Sequence, residues 1–138
     1  MSQPITHILE TALYAPNLEE TAAFYEQVLG LERLSAVAGR HVFYRLERQM
    51  LLLFDPAAST VPPPQGAIEV PPHGTRGEGH VCFDAAPLGI EAWAERLERA
   101  GVEIERRIDW PQGGRSLYFR DPAGNSLEVA ERRIWGLP

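Results

Sequence analysis

The chain has a single cysteine and no long apolar run. With only Cys82 available, no disulfide can form within its 138 residues, which favours a reducing, cytoplasmic location. The N-terminus has no basic segment followed by an apolar one, so we expect no signal peptide. The longest strongly apolar stretch, residues 50–54, is far shorter than the ~18 residues that suggest a membrane span. We therefore predict a cytoplasmic protein with no membrane partner.

Basic residues are outnumbered by acidic ones. The chain has 13 Lys and Arg residues against 19 Asp and Glu residues, for a net charge of −6. Binding to nucleic-acid phosphates needs clustered positive charge, so we expect no nucleic-acid partner. The apolar content of 44% and the charged content of 23% are ordinary for a soluble globular protein. The length allows one real hydrophobic core, which predicts a single domain over residues 1–138.

Two segments of the chain repeat the order of a strand, a helix and a glycine. The first begins at Glu10 and ends at Gly30, and the second begins at His80 and ends at Gly101 in nearly the same register. Each copy thus begins with a side chain that can bind metal. The repeat divides the domain into two modules, and it places a carboxylate and an imidazole at matching positions.

Both modules have the pattern βαβββ. In module one, about residues 5–54, alternation and turn residues predict strands at 5–15, 32–37, 42–46 and 50–54, with a helix from Asn17 to about Leu29. In module two, about residues 80–131, they predict strands at 80–84, 102–108, 115–120 and 126–131, with a helix at 88–100. The tight connections between the last strands of module one favour antiparallel pairing.

Two further segments differ from the modules. The connector, about residues 55–79, is so rich in proline that we expect neither a regular helix nor a central strand in it. It is either a plain linker or a loop laid across the mouth of a pocket. The tail, residues 132–138, carries Ile134, Trp135 and Leu137, and we expect these side chains to dock on the chain's own domain or on a partner.

The two most specific stretches, residues 17–31 and 117–128, resemble the vicinal oxygen chelate superfamily. This family includes glyoxalase I, the bleomycin resistance proteins and the extradiol dioxygenases, and the similarity extends over essentially the whole chain. The resemblance implies an α+β fold in which two βαβββ modules form a half-open, barrel-like cup of sheet. Such a cup leaves exposed sheet edges, so we expect a homodimer.

The resemblance also implies a metal site. In this family the first and last strands of each module supply the ligands. Here Glu10 lies seven residues before Asn17, where the family usually has histidine, and His80 and Glu128 occupy the matching positions of module two. The fourth position falls on Leu52 or Leu53, which cannot bind a hard metal. The implied site therefore has three ligands for one divalent metal ion (Mn, Fe, Zn, Ni or Mg), unlike the four-ligand site of glyoxalase I.

Other readings of these residues stay open. Strand alternation puts Glu10 on one face with Ile8, Ala12 and Tyr14, which predicts a buried carboxylate that needs a partner or a metal. A structural or substrate-binding role is its alternative. His7 points to the opposite face of the strand, so we expect it to be a surface or interface histidine.

Several residues are candidates for acting on a substrate. His41, His73 and Tyr118 are candidate catalytic groups, the histidines because they exchange protons near neutral pH. Arg115 and Ser116 follow a Gly pair and suit the binding of an anionic group, while Phe43 and Tyr118 suit an apolar wall. Each of these residues has an ordinary structural role as its alternative.

Two classes of function follow. The first is a metal-dependent enzyme acting on a small oxygenated substrate whose neighbouring oxygens chelate the metal. Its reaction type stays open between lyase or isomerase, transferase and dioxygenase. The alternative is a metal-free protein of the bleomycin resistance type, which binds a small drug or metabolite.

Overall fold

A computed structural model of the chain describes residues 2–138. It contains two compact units: the first ends at Arg76, and the second begins at Gly77. Each unit contains one four-stranded sheet and one main helix. In the part of the chain that is described, no helix has the length and apolar character needed to cross a membrane.

The first unit is a mixed sheet with α1 packed against its central strands. Its sheet has the order β1-β4-β3-β2, in which β1 runs parallel to β4 and the other neighbours are antiparallel. The helix buries Leu18, Ala22 and Tyr25, and the hydroxyl of Tyr44 on β3 lies 3.0 Å from the Ala22 carbonyl oxygen. The elements of this unit are β1 (Glu10–Tyr14), α1 (Leu18–Gln27), β2 (Glu32–Val37), β3 (His41–Arg45), β4 (Met50–Phe54) and α2 (Pro56–Ser59).

The second unit repeats this topology. Its sheet has the order β5-β8-β7-β6, with β5 parallel to β8 and antiparallel pairing elsewhere. The apolar stripe of α3, formed by Ile90, Ala94 and Leu97, is buried. The elements are β5 (His80–Asp84), α3 (Ile90–Arg99), β6 (Arg106–Asp109), β7 (Arg115–Arg120), β8 (Ser126–Ala130) and a short 3₁₀ helix (Arg132–Trp135).

The predicted fold class is confirmed, because the chain is α+β and consists of two βαβββ modules. β4 and β8 are the inner strands that join a parallel neighbour to an antiparallel one, and each is buried from its second residue to its last. This position explains the continuous leucine run in β4, since a strand covered on both faces has no polar alternation.

The predicted ends of several elements are wrong. β1 begins at Glu10 rather than at residue 5, and Ile5 is 94% exposed. β6 begins at Arg106 rather than at residue 102, because the Val102 N–H instead closes the end of α3 on the Leu97 carbonyl, at 2.9 Å. The connector does contain one helical turn, α2, whose first residue is Pro56. A proline is compatible with that position, since its missing N–H would have no partner inside the helix.

The tail docks within the chain only in part. Ile134 is half-buried and lies beside Gly114, whereas Trp135 is 79% exposed and Leu137 is also exposed. The other alternative, a partner that covers these side chains, stays a prediction, and so does the single domain over residues 1–138.

Candidate metal and substrate site

His80 and Glu128 lie side by side on the two parallel strands of the second unit. His80 begins β5, and Glu128 lies on β8 opposite Cys82. The His80 Nε2 atom is 3.4 Å from Glu128 Oε1. Glu128 is only 5% exposed, whereas about half of the His80 side chain is open to solvent. The pair is thus a buried carboxylate with an accessible imidazole beside it.

The imidazole of His80 is oriented by the backbone. Its Nδ1 atom lies 2.9 Å from the carbonyl oxygen of Ser126. A carbonyl oxygen only accepts hydrogen bonds, so Nδ1 carries a proton and Nε2 is the ring nitrogen that faces Glu128. In the neutral form of the ring Nε2 presents a lone pair towards Glu128 Oε1, and a cation between these two acceptors removes their repulsion. This donor set fits a divalent metal ion held by one imidazole and one carboxylate.

Glu128 is held from its other side by Ser116. The Ser116 hydroxyl donates to Glu128 Oε2 at 2.6 Å, and the Trp110 Nε1–H donates to Ser116 Oγ at 2.8 Å. An indole N–H is a donor only, so it leaves the hydroxyl proton of Ser116 for the carboxylate. The chain Trp110–Ser116–Glu128 fixes one carboxylate oxygen and leaves Oε1 directed towards His80.

The other side chains near this pair are neutral. Burial, followed by the charge of Glu128, raises the pKa of Cys82 to about 12 and that of Tyr118 to about 12. The Tyr118 ring lies nearly parallel to the His80 ring, with the ring centroids 6.3 Å apart. Cys82 is therefore no activated thiolate, and Tyr118 is a hydrogen-bond donor rather than a base.

Glu10, the third predicted ligand, lies in the first unit, and its surroundings correct one expectation. It is the first residue of β1 and is exposed rather than buried. Its partner across β4 is Met50, as the partner of His80 is Ser126. By the same register Leu52 corresponds to Glu128, so the missing fourth ligand falls on Leu52 and not on Leu53. Within residues 2–138, no three His, Cys, Asp or Glu side chains form a metal-binding group.

The first unit has a cavity of about 930 Å³ between its sheet and the connector. It brings together four of the predicted residues, namely Glu10, His41, Phe43 and His73, and it also includes Arg40. Most of the remaining wall is apolar. Its volume and its few polar groups are typical of a site for a small organic molecule.

The two histidines of this cavity lie among aromatic rings. His41 stacks on Phe43, with the ring centroids 3.9 Å apart and the planes at 9°, and burial lowers its pKa, with the charge of Arg40 adding to the effect. Among the described residues, the buried Nδ1 of His41 has no hydrogen-bond partner. His73 Nδ1 lies 2.6 Å from the Tyr14 hydroxyl, and its ring stands edge-on to Phe54 at 4.5 Å.

Arg115 differs from what the sequence predicts for an anion-binding residue. Its guanidinium forms ion pairs with Glu91 and, at 3.4 Å, with Glu131, and these carboxylates raise its pKa. It lines a smaller cavity of about 220 Å³ in the second unit. Binding of substrate by Arg115, Ser116, Phe43 or Tyr118 stays a prediction. The links between Trp110, Ser116 and Glu128 and between Tyr14 and His73 were not evident from sequence, because each joins residues on different elements.

Comparison with known proteins identifies a family model and two similar transferases. The model of the Glyoxalase/Bleomycin resistance protein/Dioxygenase superfamily matches residues 5–129. The chain is 29% identical to the glutathione transferase FosA of Serratia marcescens over 133 residues, which are 94% of this chain and 81% of that protein. It is 38% identical to the metallothiol transferase FosB of Shouchella clausii over 52 residues, 36% of each protein.

Solved structures share the fold. A crystal structure of lactoylglutathione lyase from Agrobacterium tumefaciens has a TM-score of 0.91 and 44% identity, over 98% of this chain and 100% of that one. An integron cassette protein from the mobile metagenome of V. cholerae has a TM-score of 0.71 and 26% identity, over 96% and 99% of the two chains.

Proposed function

Since the chain belongs to the Glyoxalase/Bleomycin resistance protein/Dioxygenase superfamily, we propose that it is a metal-dependent enzyme acting on a small oxygenated molecule. In this proposal Glu10, His80 and Glu128 hold one divalent metal ion. The observation that carries it is the approach of His80 Nε2 to the buried carboxylate of Glu128, with Oε1 at 3.4 Å. We include Glu10 because it occupies, in the first module, the position that His80 occupies in the second.

The metal ion, when bound, supplies Lewis-acid stabilisation of negative charge on the substrate oxygens. The protein residues have separate tasks. The Ser126 carbonyl keeps the His80 ring in the tautomer that presents Nε2, and Ser116 holds one oxygen of Glu128. The apolar cavity beside Glu10 binds the rest of the substrate and excludes water from it.

We propose thiol transfer as the reaction. The transferase relatives are named for glutathione and for metallothiols. Leu52 occupies the position that matches Glu128, so this chain lacks the fourth ligand of the glyoxalase I type of site. In the transfer, the thiol sulfur bonds to a substrate carbon, the bond from that carbon to oxygen breaks, and the thiol proton ends on the released oxygen.

An isomerisation of the lactoylglutathione lyase type is the second candidate. It is favoured by the 44% identity to the Agrobacterium tumefaciens structure over the whole of that chain. Two assays separate the candidates: loss of free glutathione with the epoxide styrene oxide, and formation of the thioester from glutathione and phenylglyoxal. Turnover of styrene oxide alone supports transfer, whereas turnover of phenylglyoxal alone supports the lyase.

Metal binding is the direct test of the site. Protein purified without chelators is examined by metal analysis, and the chelator-treated protein is titrated with Mn²⁺, Fe²⁺, Zn²⁺ and Ni²⁺ by calorimetry. We expect Glu10→Gln, His80→Asn and Glu128→Gln each to weaken binding, while the control Glu32→Gln on β2 leaves it unchanged. If none of these ions binds, the enzyme is rejected in favour of the metal-free binding protein. If only Glu10→Gln has no effect, the third ligand is wrong.

We also propose that the protein is a homodimer. Exposed apolar side chains at both ends of the chain support this, namely Ile5, Ile8 and Leu9 before β1 and Trp135 in the tail. Sedimentation equilibrium measures the oligomeric state directly. A monomer over the whole accessible concentration range contradicts the proposal.

A further inference from the structure

The cavity of the first unit is lined by aromatic rings. Phe43 and His41 stack on β3, and the ring of Phe54 on β4 stands edge-on to both, with centroid distances of 5.5 Å and 5.9 Å. Phe54 is only 7% exposed, so its ring is held by the packing of the sheet. Rings fixed in this way favour an aromatic partner, which packs against them in offset-stacked or edge-to-face contact.

The cavity also has too little positive charge for a strongly anionic ligand. Among its described lining residues, Glu10 and Arg40 are the charged ones, and one opposes the other. The Arg40 guanidinium donates a hydrogen bond to the Ala58 carbonyl at 3.2 Å, so part of its donor capacity is already used. The chain contains no lysine that could add a cation. In the metal-free protein, a dianionic phosphate or phosphonate would therefore lose its hydration without gaining matching partners.

The connector completes the cavity with apolar residues that are otherwise open to water. Ile68 and Val70 of the connector line the cavity and yet are exposed, Ile68 to 86%, and so is Val37 at the end of β2. The end of the connector is fixed to the unit, because the His73 N–H bonds to the Ser59 carbonyl at 2.9 Å and its ring meets the Tyr14 hydroxyl. Exposed apolar groups on a fixed concave wall indicate that an apolar ligand covers them.

We propose that this cavity binds a flat, uncharged group of aromatic size, seated between the Phe43–Phe54 wall and Ile68 of the connector. The identification of this group as part of the substrate depends on the proposed function. The Nδ1 atom of His41 is buried without a partner among the described residues, so in this proposal Nε2 is the ring nitrogen left to hydrogen-bond the group. The cavity therefore selects a hydrophobic aromatic substrate bearing an oxygen, rather than a small charged one.

Three probes of matched size test the proposal by calorimetry on the full chain. 2-Naphthol is flat and neutral, decahydro-2-naphthol is neutral but not flat, and 2-naphthyl phosphate is flat but charged. We expect saturable binding of 2-naphthol at one site per chain. On the chelator-treated protein, decahydro-2-naphthol should bind about fivefold more weakly, the ratio expected for the loss of aromatic contacts. 2-Naphthyl phosphate keeps those contacts and should bind more weakly because its charge loses hydration. Equal affinity for all three, or no binding of 2-naphthol, overturns the proposal.

Variants locate the binding. Phe43→Leu should weaken 2-naphthol binding by roughly three- to tenfold, the equivalent of one aromatic contact, while Phe24→Leu on α1, outside the cavity, leaves it unchanged. Ile68→Gln changes an exposed residue and so does not threaten folding, and it should weaken binding about threefold. If Ile68→Gln changes the oligomeric state but not the affinity, this wall is an interface between copies, and the proposal is wrong.

Metal content separates this inference from the proposed function. The titrations are run on chelator-treated protein and repeated with Mn²⁺ present. Binding of 2-naphthol without any metal binding supports the cavity and rejects the enzyme. Metal binding without 2-naphthol binding in either state rejects the cavity and leaves the enzyme standing.

Discussion

At the residue scale, the candidate site depends on the hydroxyl proton of Ser116. Ser116 receives a hydrogen bond from Trp110 and must therefore give its own proton to Glu128. The sequence predicts Ser116 only as a possible substrate contact, because strand alternation says which face a side chain takes but not where its proton points. The hydrogen-bond chain places Ser116 as a positioning residue for the proposed ligand Glu128.

Ser116→Ala should weaken divalent metal binding by about 10- to 100-fold, as expected for loss of a group that orients a ligand. Without the hydroxyl, Glu128 Oε2 is buried with one donor fewer and the carboxylate can rotate. Calorimetry with Mn²⁺ measures the change. Ser116→Thr keeps the hydroxyl and should restore most of the affinity, and Ser35→Ala on β2 should have no effect. Equal affinity of Ser116→Ala and wild type would show that Ser116 does not position the ligand.

His41 should make stability depend on pH. Burial holds its pKa below the ordinary value of about 6.5, so between the two values the unfolded chain binds more protons than the folded one. His41 therefore makes the free energy of unfolding rise with pH in that window. Its contribution is fully present above the unfolded pKa and is lost as pH falls through the folded pKa. Urea unfolding from about pH 5 to 7 should show a steeper rise for wild type than for His41→Gln. His7→Gln is the control, and a slope unaltered by His41→Gln contradicts the assignment.

At the scale of elements, the sequence predicts the bounds of a strand best where the strand is paired along its whole length. The bounds of β2, β4, β5 and β7 are as predicted, because turn residues limit them on both sides. The apolar residues 5–9 also have strand character, but β4 begins at Met50, and its register with β1 starts at Glu10. A strand needs a neighbour to pair with, and the sequence of one strand does not contain the length of its partner.

The helical turn α2 shows how local chemistry overcomes a proline-rich composition. Asp55 accepts a hydrogen bond from the Ala57 N–H at 2.9 Å, and Pro56 follows it in the first helical position. Asp55→Ala should lower the free energy of unfolding by about 1 kcal/mol, the usual contribution of an N-cap. Asp55→Asn keeps the accepting oxygen and should stay close to wild type in the same urea titration. An equal loss in both variants would assign the effect to charge instead of capping.

At the scale of the whole molecule, the repeat accounts for both the fold and the asymmetry of the site. By strand register, Glu10 occupies the position equivalent to His80, and Leu52 the position equivalent to Glu128. The strands and helices are therefore duplicated, but the metal-binding side chains are not. This duplication could be predicted from the sequence, because the spacing between the repeated motifs can be read from it directly. It was not sufficient for the cavity of the first unit, whose wall depends on how a proline-rich connector folds back on its own sheet.

The proposed ligands come from both units, Glu10 from the first and His80 and Glu128 from the second, so one unit can be changed while the other is observed. All three tryptophans, Trp93, Trp110 and Trp135, lie in the second unit, so their fluorescence reports the unfolding of that unit. Mn²⁺ at a hundred times its dissociation constant should raise the free energy of unfolding by about 2.7 kcal/mol. Glu10→Gln alters only the first unit.

If the loss of Glu10 weakens metal binding a hundredfold, the same Mn²⁺ concentration should stabilise this variant by only about 0.4 kcal/mol. The control Glu32→Gln removes another exposed carboxylate of the first unit and should keep the full stabilisation. A wild-type response from Glu10→Gln would mean that the ion binds to the second unit alone. The reduced response, measured by the tryptophans of a unit that the substitution does not alter, would support one metal ion held by residues of both modules.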